Sequence, residues 1–172
     1  MLARTQPAAV LQKAPQRSAP ARPEFNWERF ADIRRELPGL FVRHWEEVAL
    51  DQDKIRLDPH WDRYLELDAV GILWVLTARI EAKLVGYHFV FVFPHLHYVS
   101  TAWAESDMFW LAPEHRKGLA GYRLLKIVRD RLKQAGVKKH SFRTKLHIPS
   151  MERMLVRLGY KPIETVYAMT LE

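Results

Sequence analysis

The chain has 172 residues, 48% of them hydrophobic and 27% charged, enough to bury one core rather than two. It contains no cysteine, which excludes disulfides, thiolate catalysis and cysteine-held zinc. No apolar run approaches the ~18 residues of a membrane span, so the expectation is a soluble, cytoplasmic protein with no membrane partner.

The formal net charge of +7 is unevenly spread. Residues 1–23 hold four cations and no acid, residues 24–112 hold 9 cations against 15 acids, and residues 113–161 hold 14 against 3. A cationic second half suits a polyanionic ligand or a polyphosphate-bearing cofactor.

The chain opens with MLARTQPAAVLQKAPQRSAPARP, which has four prolines and no sustained period. It reads as an extended basic arm over 1–23, followed by a single domain over 24–172. The arm has no compact apolar stretch of the secretory kind. NWERFADIRREL predicts a helix capped at Asn26, although Arg29 stands where a capping box needs Glu or Gln. PGLFVRHWEEVAL restarts a helix at Pro38, and PHWDRYLELDAV predicts a third. GILWVLTARI and KLVGYHFVFVF are β-branched and aromatic, and the EAK connection makes them an antiparallel hairpin. PHLHYVSTAW reads as a loop before a strand near ESDMFWL. A helix over 119–135 has Leu124, Leu125, Val128 and Leu132 on one face and is ended by Gly136. VKKHSFRTK is strand-like, PSMERMLVRLG is a short helix, and YKPIETVYAMTL predicts a closing strand. The order gives an α/β (α+β) domain without repeats.

FWLAPEHRKGLAGYRLL, residues 109–125, combines a strand end, a proline turn, cations, two glycines and the start of a helix. Helix N-termini expose N–H groups and the positive end of the dipole, and glycine lets a phosphate approach closely. A Walker loop is excluded because Gly118 and Gly121 are followed by Tyr122 and Arg123 instead of Lys and Ser or Thr. The dinucleotide fingerprint keeps only its last G-x-x-G.

On these residues the chain resembles the GNAT acyltransferase superfamily, and within it the GNAT-like proteins of tailed phages and bacteria. PEHRKGLAGYRLL is similar to the family's acyl-CoA loop, LVRLGYKP to its L-x-x-x-G-[FY] element, and HLHYVSTAW to the phage-type proteins. The resemblance runs from Pro38 to Leu171. It implies a mixed, mostly antiparallel sheet flanked by helices, with acetyl-CoA as cofactor. It also implies that loop amides at Arg116, Lys117, Gly118, Leu119, Ala120 and Gly121 hold the pyrophosphate, while the strand at Phe109, Trp110 and Leu111 binds the pantetheine arm. Counted from His115, the loop's small positions are Gly118 and Ala120. The family's frequent tyrosine acid falls on Leu155, and its frequent asparagine is replaced around Ile148.

An amine acceptor must lose a proton before it attacks a thioester, and no metal is needed. Glu105 and Asp107 stand two apart on a strand, so they share a face, and mutual repulsion is expected to raise one pKa. Glu46, in HWEEV beside Glu47, is the second candidate base. Tyr160, with Tyr98 and Tyr167, could protonate the leaving thiolate. His95 and His97 lack a third ligand and read as loop or substrate-pocket residues.

Three functional readings stay open. The first is an acyl-CoA-dependent N-acyltransferase whose acceptor amine, on a small molecule or a protein, attacks the thioester directly. The second is a structural or adaptor protein, with the arm contacting copies of itself or virion subunits; a phage source would place it in the host cytoplasm or the virion. The third, a nucleic-acid-binding accessory protein, has no base-reading module to support it.

Overall fold

A computed structural model describes residues 22–171. The first 21 residues, and with them nearly all of the expected arm, lie outside the described part. Twelve elements follow one another: β1 (Glu24–Glu28), α1 (Phe30–Ile33), a 3-10 turn (Arg34–Glu36), α2 (Leu37–Val48), α3 (Trp61–Ala69), β2 (Leu73–Ile80), β3 (Lys83–His95), β4 (Tyr98–Leu111), a second 3-10 turn (Pro113–His115), α4 (Ala120–Gln134), β5 (Lys139–Phe142) and α5 (Pro149–Arg157). The five strands form one sheet in the order β1-β2-β3-β4-β5, antiparallel except for the parallel pair β4/β5. This is the mixed, mostly antiparallel sheet expected from the sequence.

Helices cover both faces. On one, Phe30, Ile33, Leu37 and Phe41 from α1 and α2 pack against Tyr87, Phe89 and Trp110 of the sheet. On the other, Leu124, Val128 and Leu132 of α4 bury against Leu76, Val90 and Ala104. Each such aliphatic side chain contributes about 2 kcal/mol by leaving water. Leu155 of α5 and Leu158 just after it close the second layer against Leu125 and Phe109.

Three expectations are corrected. Asn26 caps no helix: residues 24–28 form β1, with Asn26 opposite Thr77 and Trp27 opposite Leu76, because the edge of β2 offers this stretch a complete ladder. PHLHYVSTAW is no loop either. β3 and β4 continue through it as one long hairpin, and His95 pairs with Tyr98 across the tip. The closing strand at 160–171 is absent; Ile163, Val166, Tyr167, Met169 and Leu171 are exposed. Strand propensity produces a strand only where a partner edge supplies the hydrogen bonds.

The β2–β3 turn places Glu81 at φ 49° and Ala82 at φ 67°, the left-handed pair of a type I′ hairpin. Further along, β3 approaches β4 so closely at Gly86 that a Cβ there would lie 2.7 Å from the Trp110 carbonyl oxygen and 2.9 Å from the Leu111 Cα. Both are backbone atoms and cannot swing aside. Gly86→Ala is therefore expected to force the strands apart and cost ~1–3 kcal/mol in urea unfolding. A loss below about 0.5 kcal/mol, as for an ordinary surface change, would refute this close-approach account.

Candidate active site

The site begins with a mismatch of register. Met108 lies opposite Phe89 and Ser106 opposite Val90, so Asp107 has no partner and forms a bulge in β4. On the other edge, pairing with β5 ends at Ser106 and Phe142, while β4 runs on to Leu111. Residues 107–111 therefore lack a neighbouring strand on that side, and the gap opens into a cavity of about 310 Å³. Its walls come from α2 (Phe41, His44, Trp45), the bulge (Asp107, Met108, Phe109), and the segment from Phe142 to Met151.

Asp107 lines this cavity and is itself exposed to solvent, with protein packed around its base. The Tyr64 hydroxyl donates to its Oδ2 at 2.9 Å. Burial raises the carboxyl above its ordinary value and outweighs that hydrogen bond, which pulls the other way. The expected repulsion from Glu105 is not the cause of the shift; Glu105 is paired with Arg143, whose Nη2 lies 3.7 Å from Oε2.

His44 faces the same cavity. Its Nδ1 lies 3.0 Å from the Tyr87 hydroxyl and its ring stacks on Trp110. Burial lowers its pKa to about 4, so the imidazole is neutral at pH 7. Sequence reasoning missed His44 because only the tertiary fold brings α2 over the bulge; its sole signal was its place beside two acids in HWEEV.

Glu46 is exposed and borders a shallow depression with Arg43, Trp110 and Pro113, away from the Asp107 cavity. Glu47 has the structural part. It accepts from Trp110 Nε1 at 2.9 Å and pairs with both Arg116 terminal nitrogens at 2.5 Å, and these bonds hold its carboxyl below the usual range. The Arg116 guanidinium is engaged by Glu47 and by the Leu111 carbonyl at 2.6 Å.

The loop's backbone is more available. Among the described residues no turn hydrogen bond engages the amides of Lys117, Gly118 or Leu119. α4 starts at Ala120, so the N–H groups of Ala120 and Gly121 precede the intrahelical ladder. Gly118 sits at φ 72°, and a Cβ on it would touch nothing within 4 Å. Phe109 packs below the loop, its ring 3.8 Å from where a Gly121 Cβ would lie. Phe109, Trp110 and Leu111 end β4 and residues 116–121 lead into α4; the Trp110 and Leu111 side chains are buried.

Tyr160 lies outside the cavity lining, at the end of a polar chain beneath it. Its hydroxyl is 2.5 Å from His140 Nδ1, His140 Nε2 is 2.8 Å from Ser106 Oγ, and Ser106 Oγ is 2.7 Å from His88 Nε2. His88 is fully buried, and its Nδ1 has no partner among the described residues. A buried N–H without an acceptor is rarer than an under-used lone pair, which favours the proton on His88 Nε2. Ser106 then donates to His140 Nε2, His140 Nδ1–H donates to Tyr160, and the phenolic proton is free for another acceptor. Burial holds Tyr160 at about 12 and His140 at about 4.

His95 and His97 sit at the β3–β4 hairpin tip, with the His95 ring 3.8 Å from that of Trp103. They are not in the cavity, and no group of three or more metal-ligating side chains occurs among the described residues. Tyr98 belongs to that tip cluster and Tyr167 is 91% exposed, so neither reaches the bulge cavity. No described helix is long and apolar enough to cross a membrane.

A bulged fourth strand, a gap between parallel β4 and β5, and a glycine turn at the head of α4 define the acyltransferase class of fold. The sequence profile of the acetyltransferase (GNAT) family matches residues 20–160, and the chain belongs to that family. No curated protein matches it. Among solved structures, it is similar to an aminoglycoside acetyltransferase from an uncultured soil metagenomic sample, crystallised with sisomicin (13% identity, 87% of this chain and 97% of that one, TM-score 0.68). It is likewise similar to the ribosomal-protein-alanine N-acetyltransferase of Brucella melitensis (13%, 87% and 99%, 0.65) and the glucosamine-6-phosphate N-acetyltransferase of Arabidopsis thaliana (12%, 87% and 99%, 0.63). At such identities the likeness is one of fold.

Proposed function

We propose that the protein transfers an acyl group, acetyl from acetyl-CoA, to an amine, with Asp107 as the base. The observation that carries this reading is the bulge: it places a carboxylate in the cavity lining where β4 loses its strand partner.

The residues present fit the cofactor. The β4 edge beyond Ser106 has no strand partner and offers backbone groups to an extended arm, apart from the Leu111 carbonyl that Arg116 Nε occupies, and the amides of 117–121 lie at a helix start beside an open glycine. When bound, acetyl-CoA supplies an activated acyl group as a thioester. Asp107 takes a proton from the acceptor ammonium, Tyr64 holds the carboxylate in place, and the apolar walls limit water. Tyr160, through the polarity of its hydrogen-bond chain, keeps a proton to donate.

Calorimetry of the full chain with CoA tests the cradle. Gly118→Asn tolerates the left-handed backbone while putting a side chain over the amides, and is expected to weaken CoA binding on the order of 10-fold or more with an unchanged melting temperature. Equal affinity in the variant would place the pyrophosphate elsewhere.

A second reading, a structural or adaptor protein, is favoured by Leu155, a buried core side chain at the family's frequent tyrosine position. In that reading the domain over 24–172 is a scaffold, and residues 1–23 bind copies of the chain, virion subunits or a polyanion, in the cytoplasm of a phage host. Turnover of any amine decides between the two.

A further inference from the structure

The cavity has a charge pattern of its own. Among its lining groups Asp107 is the sole acid, and the opposite charge comes from Arg143 and Lys145, on the segment that leaves β5. Between them the walls are apolar: Phe41, Trp45, Leu57 and Ile148. Lys145 forms no ion pair among the described residues. Arg143 reaches Glu105 only at 3.7 Å, with 72% of its side chain exposed. Lys145 is thus open to an anion from a ligand, and Arg143, mostly exposed and held by Glu105 only at that distance, can turn toward the same anion.

A polycationic acceptor does not suit this lining, since each further ammonium would need its own acid and would meet Arg143 and Lys145 instead. The cavity, about 310 Å³ and open to solvent on one side, lies at the low end for ligand sites, and the acyl group must share it, so the part of the acceptor that enters it is small.

We propose that the acceptor is a small monoamine bearing an apolar side group and a carboxylate, an apolar α-amino acid being the simplest, with its amine at Asp107 and its carboxylate at Arg143 and Lys145. This rests on the acyl-transfer reading above and goes further by naming the substrate class. In the reaction the amine nitrogen bonds to the thioester carbonyl carbon and the carbon–sulfur bond breaks. Of the three ammonium protons, one leaves through Asp107 to solvent, one ends on the CoA sulfur and one stays on the amide nitrogen. No further reactant is required.

The test uses the full chain with acetyl-CoA, following thiol release with leucine, leucinamide, isoamylamine and sisomicin. Leucine is expected to be acetylated with kcat/KM at least about 10-fold above leucinamide and isoamylamine, the loss of a charged contact being of that order, and above sisomicin. The double variant Arg143→Glu with Lys145→Glu is expected to reverse the preference for leucine over isoamylamine. Equal rates for leucine and leucinamide, or preference for sisomicin, would overturn the proposal. Leucine and N-acetylleucine are also titrated calorimetrically into the CoA-loaded protein, so the substrate class has a readout apart from turnover. Binding of either, abolished in the double variant, supports the substrate class even without turnover, whereas no binding of either overturns it. Failure to bind CoA at all strikes the acyl-transfer reading itself, and with it this proposal.

Discussion

Asp107→Asn is expected to lower the acyl-transfer step by ~10²-fold or more while leaving CoA affinity and melting temperature nearly unchanged. The amide keeps the shape and can still meet the Tyr64 hydroxyl, but it cannot take a proton. The native rate should fall with decreasing pH as Asp107 becomes protonated. Because burial raises that carboxyl, the fall should centre above the ordinary aspartate value of ~3.9. Tyr64→Phe removes the hydroxyl that stabilises the charged form, so the acidic limb should move to higher pH. In Asp107→Asn the limb should vanish. Glu105→Gln is the matched control, since Glu105 faces Arg143 rather than Tyr64. If Asp107→Asn and the double variant with Glu105→Gln both retain full rate and an unaltered profile, the base lies elsewhere, and His44 is next.

The second large effect is on stability in acid. His44 and His140 each titrate at about 4 in the folded protein against an ordinary 6.5, because burial disfavours their charged forms; His88 is pushed the same way. Between those values the unfolded chain binds more protons than the folded one. Stability is therefore fully present above pH ~6.5 and is lost as pH falls toward the folded values. At pH 5, some 1.5 units into this window, each of the first two contributes a loss of about 2 kcal/mol. Together they should lower the melting temperature by roughly 10 °C relative to pH 7. Asp107 works in the opposite sense, since its raised pKa makes its ionised form the costly one and acid relieves it. The loss of Glu47's support comes only at lower pH, below the ordinary glutamate value. His140→Gln should start from a less stable protein, having lost two hydrogen bonds, but should show a visibly shallower decline between pH 6.5 and 5. An undiminished slope in that variant would assign the acid sensitivity to other groups.

Local pattern alone decided α4, β2 and β3. The stripe Leu124, Leu125, Val128 and Leu132 recurs at helical spacing, and all four are buried. The glycine turn before α4 was equally legible, because a positive φ and a helix start depend on a few adjacent residues. Local pattern does not decide the structure where two tendencies compete or where a partner strand is needed. Residues 24–28 carry part of a helical period, yet the free edge of β2 makes them a strand. Residues 160–171 have strand composition but meet no edge.

The site shows the same division. Spacing put Glu105 and Asp107 on one strand, but only the register of β4 against β3 makes Asp107 a bulge, and only the early end of β5 leaves the strand beyond it open. The pairing of Arg116 with Glu47, separated by 69 residues, could not be seen in either neighbourhood. Nor could the approach of His44 or the chain from His88 to Tyr160. Sequence by itself determined which segments could be helices and strands and where a phosphate could meet a helix start, since those follow from short-range sterics and hydrophobic period. Which carboxylate faces a cavity, which cation is paired and which histidine stays neutral were decided by tertiary structure, because burial and charge contacts come from residues far apart in the chain.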